Sequence, residues 1–456
     1  MAVTTVLTRP HRARRRHLRA ASRPRWFAVD RPSGQTLRML LAGCVIAVLG
    51  IRLNLMAGVT LGFAAAIAAT PWWLPALRRY RYALLVAVLT VLAVCTGLWF
   101  TGWSNLERQT DTSLTIATTM LMVGIAASVG AVLWARTYFS PGAIAVLYSI
   151  GMTVNIFVNH SLSSSNPWKF ALAIPVTVLS LGLCEVFRTR IGTIVVTAVL
   201  ATVSALNDSR SLFSILVLVL LVTLWRLIPR NRSTPLTRLR SIFGLGVLLV
   251  GVYLVGSSMA TEGLLGAETQ QRSLAQVETS GNLILGGRPE LGATIALFQY
   301  RPLGFGLGAL PSSTDIAVAK TGMAALNYRP NNGYVERYMF GTSFELHSTV
   351  ADAWALMGVA GLLLAAVLLI VLINSFSHLL GTSEAAGIRI LLFTYALWNA
   401  MFSPLYGAAP TLILALGLLL LDRRRLDEDS GPPAVPGWLS GRRFERRVPG
   451  RAGGHR

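Results

Sequence analysis

Long continuous apolar runs, separated by short polar connections, make up most of the chain. A helix needs about 20 apolar residues to cross a bilayer. The runs are continuous and do not alternate with polar positions, so they indicate helices and not strands. The pattern predicts an all-α integral membrane protein with about 12 transmembrane helices and one large extracytoplasmic loop between helices 9 and 10. The predicted spans are 37–52, 54–76, 82–101, 112–135, 141–159, 168–187, 191–207, 211–229, 241–260, 347–374, 385–403 and 405–421.

These spans divide the chain into five segments. They are a basic N-terminal tail (1–36), a first membrane segment with helices 1–9 (37–260), the large loop (261–346), a second membrane segment with helices 10–12 (347–421) and a C-terminal tail (422–456). No internal repeat relates the second half of the chain to the first.

Composition supports a membrane protein and argues against nucleic-acid binding. Only 13% of the 456 residues are charged and the mean hydropathy is +0.58, whereas roughly a quarter of the residues are charged in soluble proteins. The net charge of +22 comes mostly from arginines in the tails and short connections, as the positive-inside rule describes. The three cysteines lie in apolar runs, so we expect neither a disulfide framework nor a metal site.

The basic connections alternate along the chain and therefore predict the orientation. One set of helix ends carries most of the arginines: the N-terminal tail, 78–81, Arg136, 188–190, 226–240, Arg389 and 423–425. The opposite set carries only Arg52, Arg108, Lys169 and Arg210. The first set is expected to be cytoplasmic. Both termini then lie on the cytoplasmic side of the cell membrane, and segment 261–346 lies on the outer side. This segment is polar and nearly balanced in charge, and its length favours a folded element.

Three short motifs are expected at the outer face. The first is "NDSRS", in which Asp208, Ser209 and Arg210 form the outer turn before the eighth predicted helix. Arg210 could bind an anion at this position. It could equally be an anchor that reaches the headgroup level.

The second motif is "GGRPELGATIALFQYRPLGFGLG", in which Gly287 precedes Arg288 and Pro302 precedes Gly304 and Gly306. A guanidinium suits phosphate oxygens, and closely spaced glycines let backbone N–H groups approach an anion. The alternative is a flexible loop with a solvated arginine.

The third motif is "LHSTVAD", at the start of the tenth predicted helix. A neutral imidazole can accept a proton near physiological pH, so His347 is a candidate general base. Ser348 can cap the helix, and Asp352 lies one turn later on the same face. In the alternative interpretation, His347 is a surface residue and Asp352 a buried structural acceptor.

Together these motifs resemble the O-antigen ligase and O-antigen polymerase superfamily. The resemblance covers most of the chain and rests on Ser209–Arg210, Gly287–Arg288, "RPLGFGLG", and His347–Ser348 followed by Gly358 and Gly361. Ser348 stands where asparagine is common in the family, and Gly292 stands near where an aromatic residue is common.

The resemblance implies transfer of a glycan from a polyprenyl diphosphate carrier to an acceptor hydroxyl on the outer leaflet, with inversion and without a metal or other cofactor. It implies His347 as the general base, Arg210 and Arg288 as the diphosphate ligands, and Ser209, Gly287, Pro302, Gly304, Gly306, Ser348 and Asp352 in support. The acceptor is a glycan, lipid or protein, and ligase and polymerase remain equally open. Membrane lipid surrounds the protein, and a lipid-linked glycan transporter or flippase without catalysis is the alternative.

The predicted orientation can be tested by labelling. Single cysteines introduced at Ser280 or Ser313 should react with a membrane-impermeant thiol reagent in intact cells, because the loop is expected outside. Labelling that appears only after permeabilisation would contradict the orientation.

Overall fold

The computed structural model describes residues 33–56, 58–227, 267–280, 287–382 and 386–424, with single positions between 243 and 262 and position 426. Its α-helices are α1 (Ser33–Leu49), α2 (Leu61–Ala68), α3 (Thr70–Trp73), α4 (Ala83–Ser104), α5 (Thr112–Ala135), α6 (Pro141–Val158), α7 (Ala173–Val186), α8 (Arg190–Leu206), α9 (Arg210–Trp225), α10 (Ala267–Ser280), α11 (Glu290–Tyr300), α12 (Ser313–Ala324), α13 (Thr349–Gly381), α14 (Gly387–Phe402) and α15 (Leu405–Leu419). Short 3-10 turns cover Pro75–Arg79 and Ser161–Ser163, and π-helical turns cover Trp168–Leu172 and Val335–Met339. Strands β1 (Asn54–Met56) and β2 (Val59–Thr60) form one antiparallel pair.

The described part of the chain is mainly helical, and several of its helices can span a membrane. Five are long and apolar enough: α4, α5, α6, the continuous run Trp168–Val186, and α13. Helices α8, α9, α14 and α15 and most of α1 are apolar but shorter. The ninth predicted span, 241–260, lies mostly outside the described residues, as do most of the two tails.

The predicted second span, 54–76, is not one continuous helix. Its first residues form the β1–β2 hairpin, which turns at Gly58 with φ +75°. Thr60 then caps α2, its hydroxyl accepting from the Phe63 backbone N–H at 3.2 Å. Pro71 lies in the first turn of α3, and Pro75 opens the 3-10 turn that follows. Because proline lacks an N–H donor, it favours such helix starts and interrupts longer helices. The apolar run alone could not reveal these breaks.

Several arginine-rich connections come together at one end of the bundle, here called the arginine-rich end. The Arg136 guanidinium donates to the carbonyls of Gly417 and Leu420 at 2.9 and 2.7 Å. Tyr80 forms a backbone bridge with Asp422. The C-terminal ends of α5 and α15 therefore meet the connection before α4.

Residues 287–346, the longer described part of the predicted loop, pack at the opposite end of the bundle, here called the loop end. Arg108, after α4, forms an ion pair of 2.5 Å with the buried Asp315 of α12. Helices α11 and α12 cross closely, since a Cβ on Gly292 would lie 2.3 Å from the Gly322 carbonyl oxygen. An apolar cluster beneath them includes Leu297, Phe305, Met323, Met339 and Trp354. The loop segment thus carries a core of its own that continues into α13.

Helix α13 is interrupted at Gly358, where φ is +62° and ψ is −145°. A Cβ at this position would lie 2.4 Å from the Leu303 carbonyl oxygen and 2.6 Å from the Phe100 ring. A Cβ on Gly361 would lie 1.9 Å from the Ala353 carbonyl oxygen. Gly358 therefore lets the loop after α11 approach the first turns of α13, and Gly361 leaves room for the Ala353 carbonyl of the same helix.

Gly358→Ala is expected to destabilise the fold, because alanine rarely adopts this backbone conformation, at a cost of about 1–3 kcal/mol before the clash is counted. Gly102→Ala is the matched control, since nothing lies within 4 Å of its Cβ position in α4. Midpoints of thermal unfolding in one detergent should fall for Gly358→Ala and hold or rise for Gly102→Ala. Equal midpoints would mean that the break in α13 is not required.

Candidate functional site

His347 lies at the junction between the loop segment and α13. Its backbone is in the left-handed region, with φ +54°, which is uncommon for a residue other than glycine. Ser348 then caps α13, as predicted, by accepting from the Ala351 N–H at 3.2 Å. The Ser348 hydroxyl also donates to the Ala400 carbonyl at 2.7 Å. The cap thus fastens the turn that carries His347 to the end of α14.

The Asp352 carboxylate stabilises the same turn through backbone hydrogen bonds. One of its oxygens accepts from the Leu346 N–H and the other from the Leu405 N–H, each at 2.7 Å. The side chain is buried and both of its oxygens are occupied. Asp352 is therefore placed as a positioning residue that holds the residue before His347 against the start of α15.

Tyr334 and Glu290 complete the surroundings of the imidazole. The Tyr334 ring lies 6.2 Å from the His347 ring, centroid to centroid, and the Tyr334 hydroxyl donates to Glu290 Oε1. Glu290 is buried, and its second oxygen has no hydrogen-bond partner among the described residues. Burial, with the Glu290 carboxylate beside it, raises the pKa of the Tyr334 hydroxyl far above its ordinary value. Tyr334 therefore remains a protonated donor at physiological pH.

Arg288, two residues before Glu290, lies close enough to Tyr334 for its charge to act on the hydroxyl. This charge slightly opposes the rise in the pKa of that hydroxyl. The guanidinium lies over the rings of Phe402 and Trp398, at 5.4 and 5.8 Å from their centroids. Among the described residues no carboxylate forms an ion pair with Arg288. The two aromatic faces stabilise the guanidinium charge without accepting its hydrogen bonds, so N–H groups remain for a ligand.

Arg210 belongs to a separate polar cluster at the N-terminus of α9. Its Nε lies 3.6 Å from Asp208 Oδ1, and its Nη1 donates to Ser273 Oγ at 3.3 Å. Asp208 also pairs with Lys169 at 3.6 Å. Ser209 is buried, but its side chain does not cap the helix. The structure thus brings Arg288 and His347 together around Tyr334, while the hydrogen bond and ion pair of Arg210 within the described part of the chain go to Ser273 and Asp208.

The glycine loop "RPLGFGLG" is a packing element and does not present free N–H groups to an anion. The N–H groups of Phe305 and Gly306 donate to the Ala355 carbonyl, and that of Gly304 donates to the Arg301 carbonyl. Gly304 and Gly306 have φ values of +83° and +109°. A Cβ on Gly304 would lie 2.5 Å from the Trp354 carbonyl oxygen, and one on Gly306 would lie 2.6 Å from the Thr101 nitrogen. In this arrangement the N–H groups of Gly304 and Gly306 are already used within the fold, and the anion-binding role expected of them stays a prediction.

Other contacts give the same loop a structural role. The Pro302 carbonyl accepts from Trp354 Nε1 at 2.8 Å. Arg301 donates to the Gly304 carbonyl at 2.9 Å and pairs with Glu107 at 2.5 Å, which lowers the pKa of that carboxyl. Gly287 directly precedes Arg288 and is half-buried. The loop therefore locks the first turns of α13, and with them the position of His347.

Sequence reasoning missed Tyr334, Glu290 and the two rings beneath Arg288. Glu290 follows Arg288 by two positions in "GRPE", and a buried carboxylate so close to a candidate anion ligand could have been a signal. Tyr334 is 44 residues from Glu290 and carries no pattern that points to it.

The Tyr334–Glu290 hydrogen bond should contribute measurably to stability. Tyr334→Phe leaves the buried carboxylate without its donor, at an expected cost of about 1–3 kcal/mol in the free energy of unfolding. Glu290→Gln keeps an acceptor and should cost less. Tyr338→Phe is the control, because Tyr338 is 63% exposed and surface changes usually stay within about 0.5 kcal/mol. Unfolding in detergent measures all three, and equal effects of Tyr334→Phe and Tyr338→Phe would contradict the role of the bond.

Compared with family models, curated proteins and solved structures, the chain gives no match.

Proposed function

We propose that this protein transfers a glycan from a polyprenyl diphosphate carrier to an acceptor hydroxyl at the outer face of the cell membrane. The observation that carries the proposal is the convergence of His347 and Arg288 on Tyr334 at the loop end of the bundle. One group can accept a proton and the other can bind an anion, as transfer from a diphosphate requires. The assignment of the loop end to the outer face rests on the distribution of the arginines along the sequence.

The imidazole has the geometry of a base whose tautomer is fixed. His347 Nδ1 lies 3.2 Å from the Glu345 carbonyl oxygen. A carbonyl only accepts, so Nδ1 carries the proton and Nε2 keeps its lone pair. In the proposed step, the acceptor oxygen forms a bond to the anomeric carbon as Nε2 takes the hydroxyl proton. The bond from that carbon to the phosphate oxygen breaks, and the diphosphate leaves with the electron pair. A single displacement of this kind inverts the anomeric centre.

Arg288 is the better placed of the two predicted diphosphate ligands. Guanidinium–phosphate pairs are charge-assisted and frequently bidentate, and no described carboxylate competes for this group. Arg210 already pairs with Asp208, so a second contribution from Arg210 would require that pair to rearrange. The leaving-group charge in the proposed mechanism is therefore assigned first to Arg288.

An apolar cavity near the site is compatible with a lipid-linked donor. It has a volume of about 110 Å³ and lies between α4, α5, α13, α14 and α15. Thr349, Ala400 and Leu405 line it at the loop end, and Leu420 lines it at the arginine-rich end. Thr349 is two residues from His347, so an isoprenoid segment that enters here would hold its diphosphate close to the imidazole.

The test is the fate of the lipid-linked precursor when His347 is removed. His347→Ala should insert normally while product disappears and precursor accumulates at the outer face, because loss of a general base costs about two to four orders of magnitude in rate. In the same assay Arg288→Lys should also lose product, since an ammonium cannot replace the planar fork. Product and precursor are measured by mass spectrometry of lipid extracts, with the leaflet assigned by a membrane-impermeant label.

His160→Ala is the matched control, because His160 is an exposed histidine that follows α6 and has a similar left-handed backbone, with φ +49°. This variant should transfer normally. Normal transfer by His347→Ala would remove the base assignment. Precursor trapped on the cytoplasmic side would instead favour the transporter or flippase and end the enzyme proposal.

A further inference from the structure

Three tyrosine rings lead from the surface to His347, and we call Tyr328, Tyr334 and Tyr338 the tyrosine row. The Tyr334 centroid lies 5.5 Å from that of Tyr338, 6.3 Å from that of Tyr328 and 6.2 Å from the imidazole. Tyr338, at the outer end, is 63% exposed. The row is continuous at ring-contact distances from solvent to the candidate base.

Two rings of the row, Tyr334 and Tyr338, are carried by one short helical turn and the residue before it. The π-helical turn Val335–Met339 buries Val335 and Met339 completely in the apolar cluster of the loop segment. Tyr334 is partly buried and packs against that cluster, whereas Tyr338, four positions later, is an exposed ring on the same turn. A large exposed aromatic ring next to satisfied apolar neighbours does not serve packing, and π-turns are frequent at functional sites.

The groups around the row are amides and charges of both signs. Asn332 donates to the Tyr328 hydroxyl at 2.8 Å and accepts from the Tyr334 N–H at 3.0 Å. Lys320 pairs with Glu336 at 2.5 Å. Residues 328–332 line a surface depression of about 560 Å³, within the size range of small-molecule sites. Asn332 and the tyrosine hydroxyls offer donors and acceptors for neutral hydroxyls, and Arg329 adds a further donor to the lining of the depression.

We propose that the tyrosine row is a glycan-binding platform that guides a sugar chain to His347, an inference that rests on the proposed function. A pyranose presents C–H groups on one face and hydroxyls at its rim. The C–H face matches the negative face of an aromatic ring, and the hydroxyls match Asn332 and its neighbours. A protein partner would need a wider apolar surface than one narrow row of rings.

The row is also partly preorganised for such a ligand. The bond from Tyr334 to Glu290 fixes the middle ring, and that from Asn332 fixes the Tyr328 hydroxyl. Ligands bind more tightly to groups that need not be ordered on binding. Tyr338 alone carries no such restraint among the described residues, so its ring is the one to vary.

The experiment compares Tyr338→Ala with Tyr300→Ala. Tyr300 is the matched control, since it is 50% exposed on the same segment at the end of α11, outside the row. The probe is a fluorescently labelled oligosaccharide, released by mild acid from the surface polysaccharide of the source cell. Binding to the full-length protein in detergent is measured by fluorescence anisotropy, and transfer kinetics are measured in parallel.

Tyr338→Ala should weaken oligosaccharide binding about five- to tenfold, the size of one lost ring contact. It should raise KM by a similar factor and leave kcat nearly unchanged. Tyr338→Phe should bind within about twofold of the original protein, and Tyr300→Ala should bind as tightly as that protein does. A split between KM and kcat separates a platform from a merely structural residue, which would lower the amount of folded protein instead.

Other results would overturn the glycan platform or the proposed enzyme separately. Equal binding by Tyr338→Ala and Tyr300→Ala, or transfer without any measurable binding of the oligosaccharide, overturns the platform. Tyr338-dependent binding in a protein that transfers no glycan retains the platform and removes the proposed enzyme. Unchanged oligosaccharide binding, with loss of a second polypeptide on co-purification, would make the row a protein contact and overturn the glycan assignment.

Discussion

The Asp352 carboxylate holds together the three parts of the chain from which the candidate site is made. It accepts from Leu346 at the end of the loop segment and from Leu405 at the start of α15, and it lies in the first turn of α13. A buried carboxylate is costly unless its oxygens are satisfied. Here two backbone donors satisfy it, so burial of this group requires the helix start, the His347 turn and α15 to keep one arrangement.

The glycines reinforce that arrangement through close backbone approach. Gly358 breaks α13 where the Leu303 carbonyl enters, and Gly304 meets the Trp354 carbonyl from the other side. Gly358 and Gly361 follow His347 at a spacing that suggested a family resemblance. In this fold Gly358 serves contact between the loop and α13, and Gly361 serves close approach within α13. The chain thus uses a strained helix start, fixed by hydrogen bonds and packing, to hold a histidine at the beginning of a helix long enough to span a membrane.

Local patterns predicted much of this architecture, and long-range pairings escaped them. Apolar runs indicate helices because a segment that spans a membrane must hydrogen-bond its own backbone groups. The cap at Ser348 is also a local signal, since a serine before a helix can accept from the first turn. The hairpin at 54–60 escaped because its residues are as apolar as those of a helix. The Tyr334–Glu290 bond escaped because it joins positions 44 apart with no shared period. The glycine loop shows a related limit: glycine indicates close backbone approach, but sequence alone does not say whether an anion or another segment of the chain approaches.

The partners of Arg108, Arg301 and Arg288 at the loop end distinguish two structural arginines from the proposed diphosphate ligand. Arg108 pairs with Asp315 and Arg301 pairs with Glu107, both at 2.5 Å, and each joins the loop segment to the end of α4. Arg288 instead lies over Phe402 and Trp398. A carboxylate cancels a guanidinium charge and occupies its donors, whereas an aromatic face stabilises the cation and leaves the edge N–H groups free. A site that binds a diphosphate needs that uncancelled charge, and among these arginines only Arg288 lacks a described carboxylate partner.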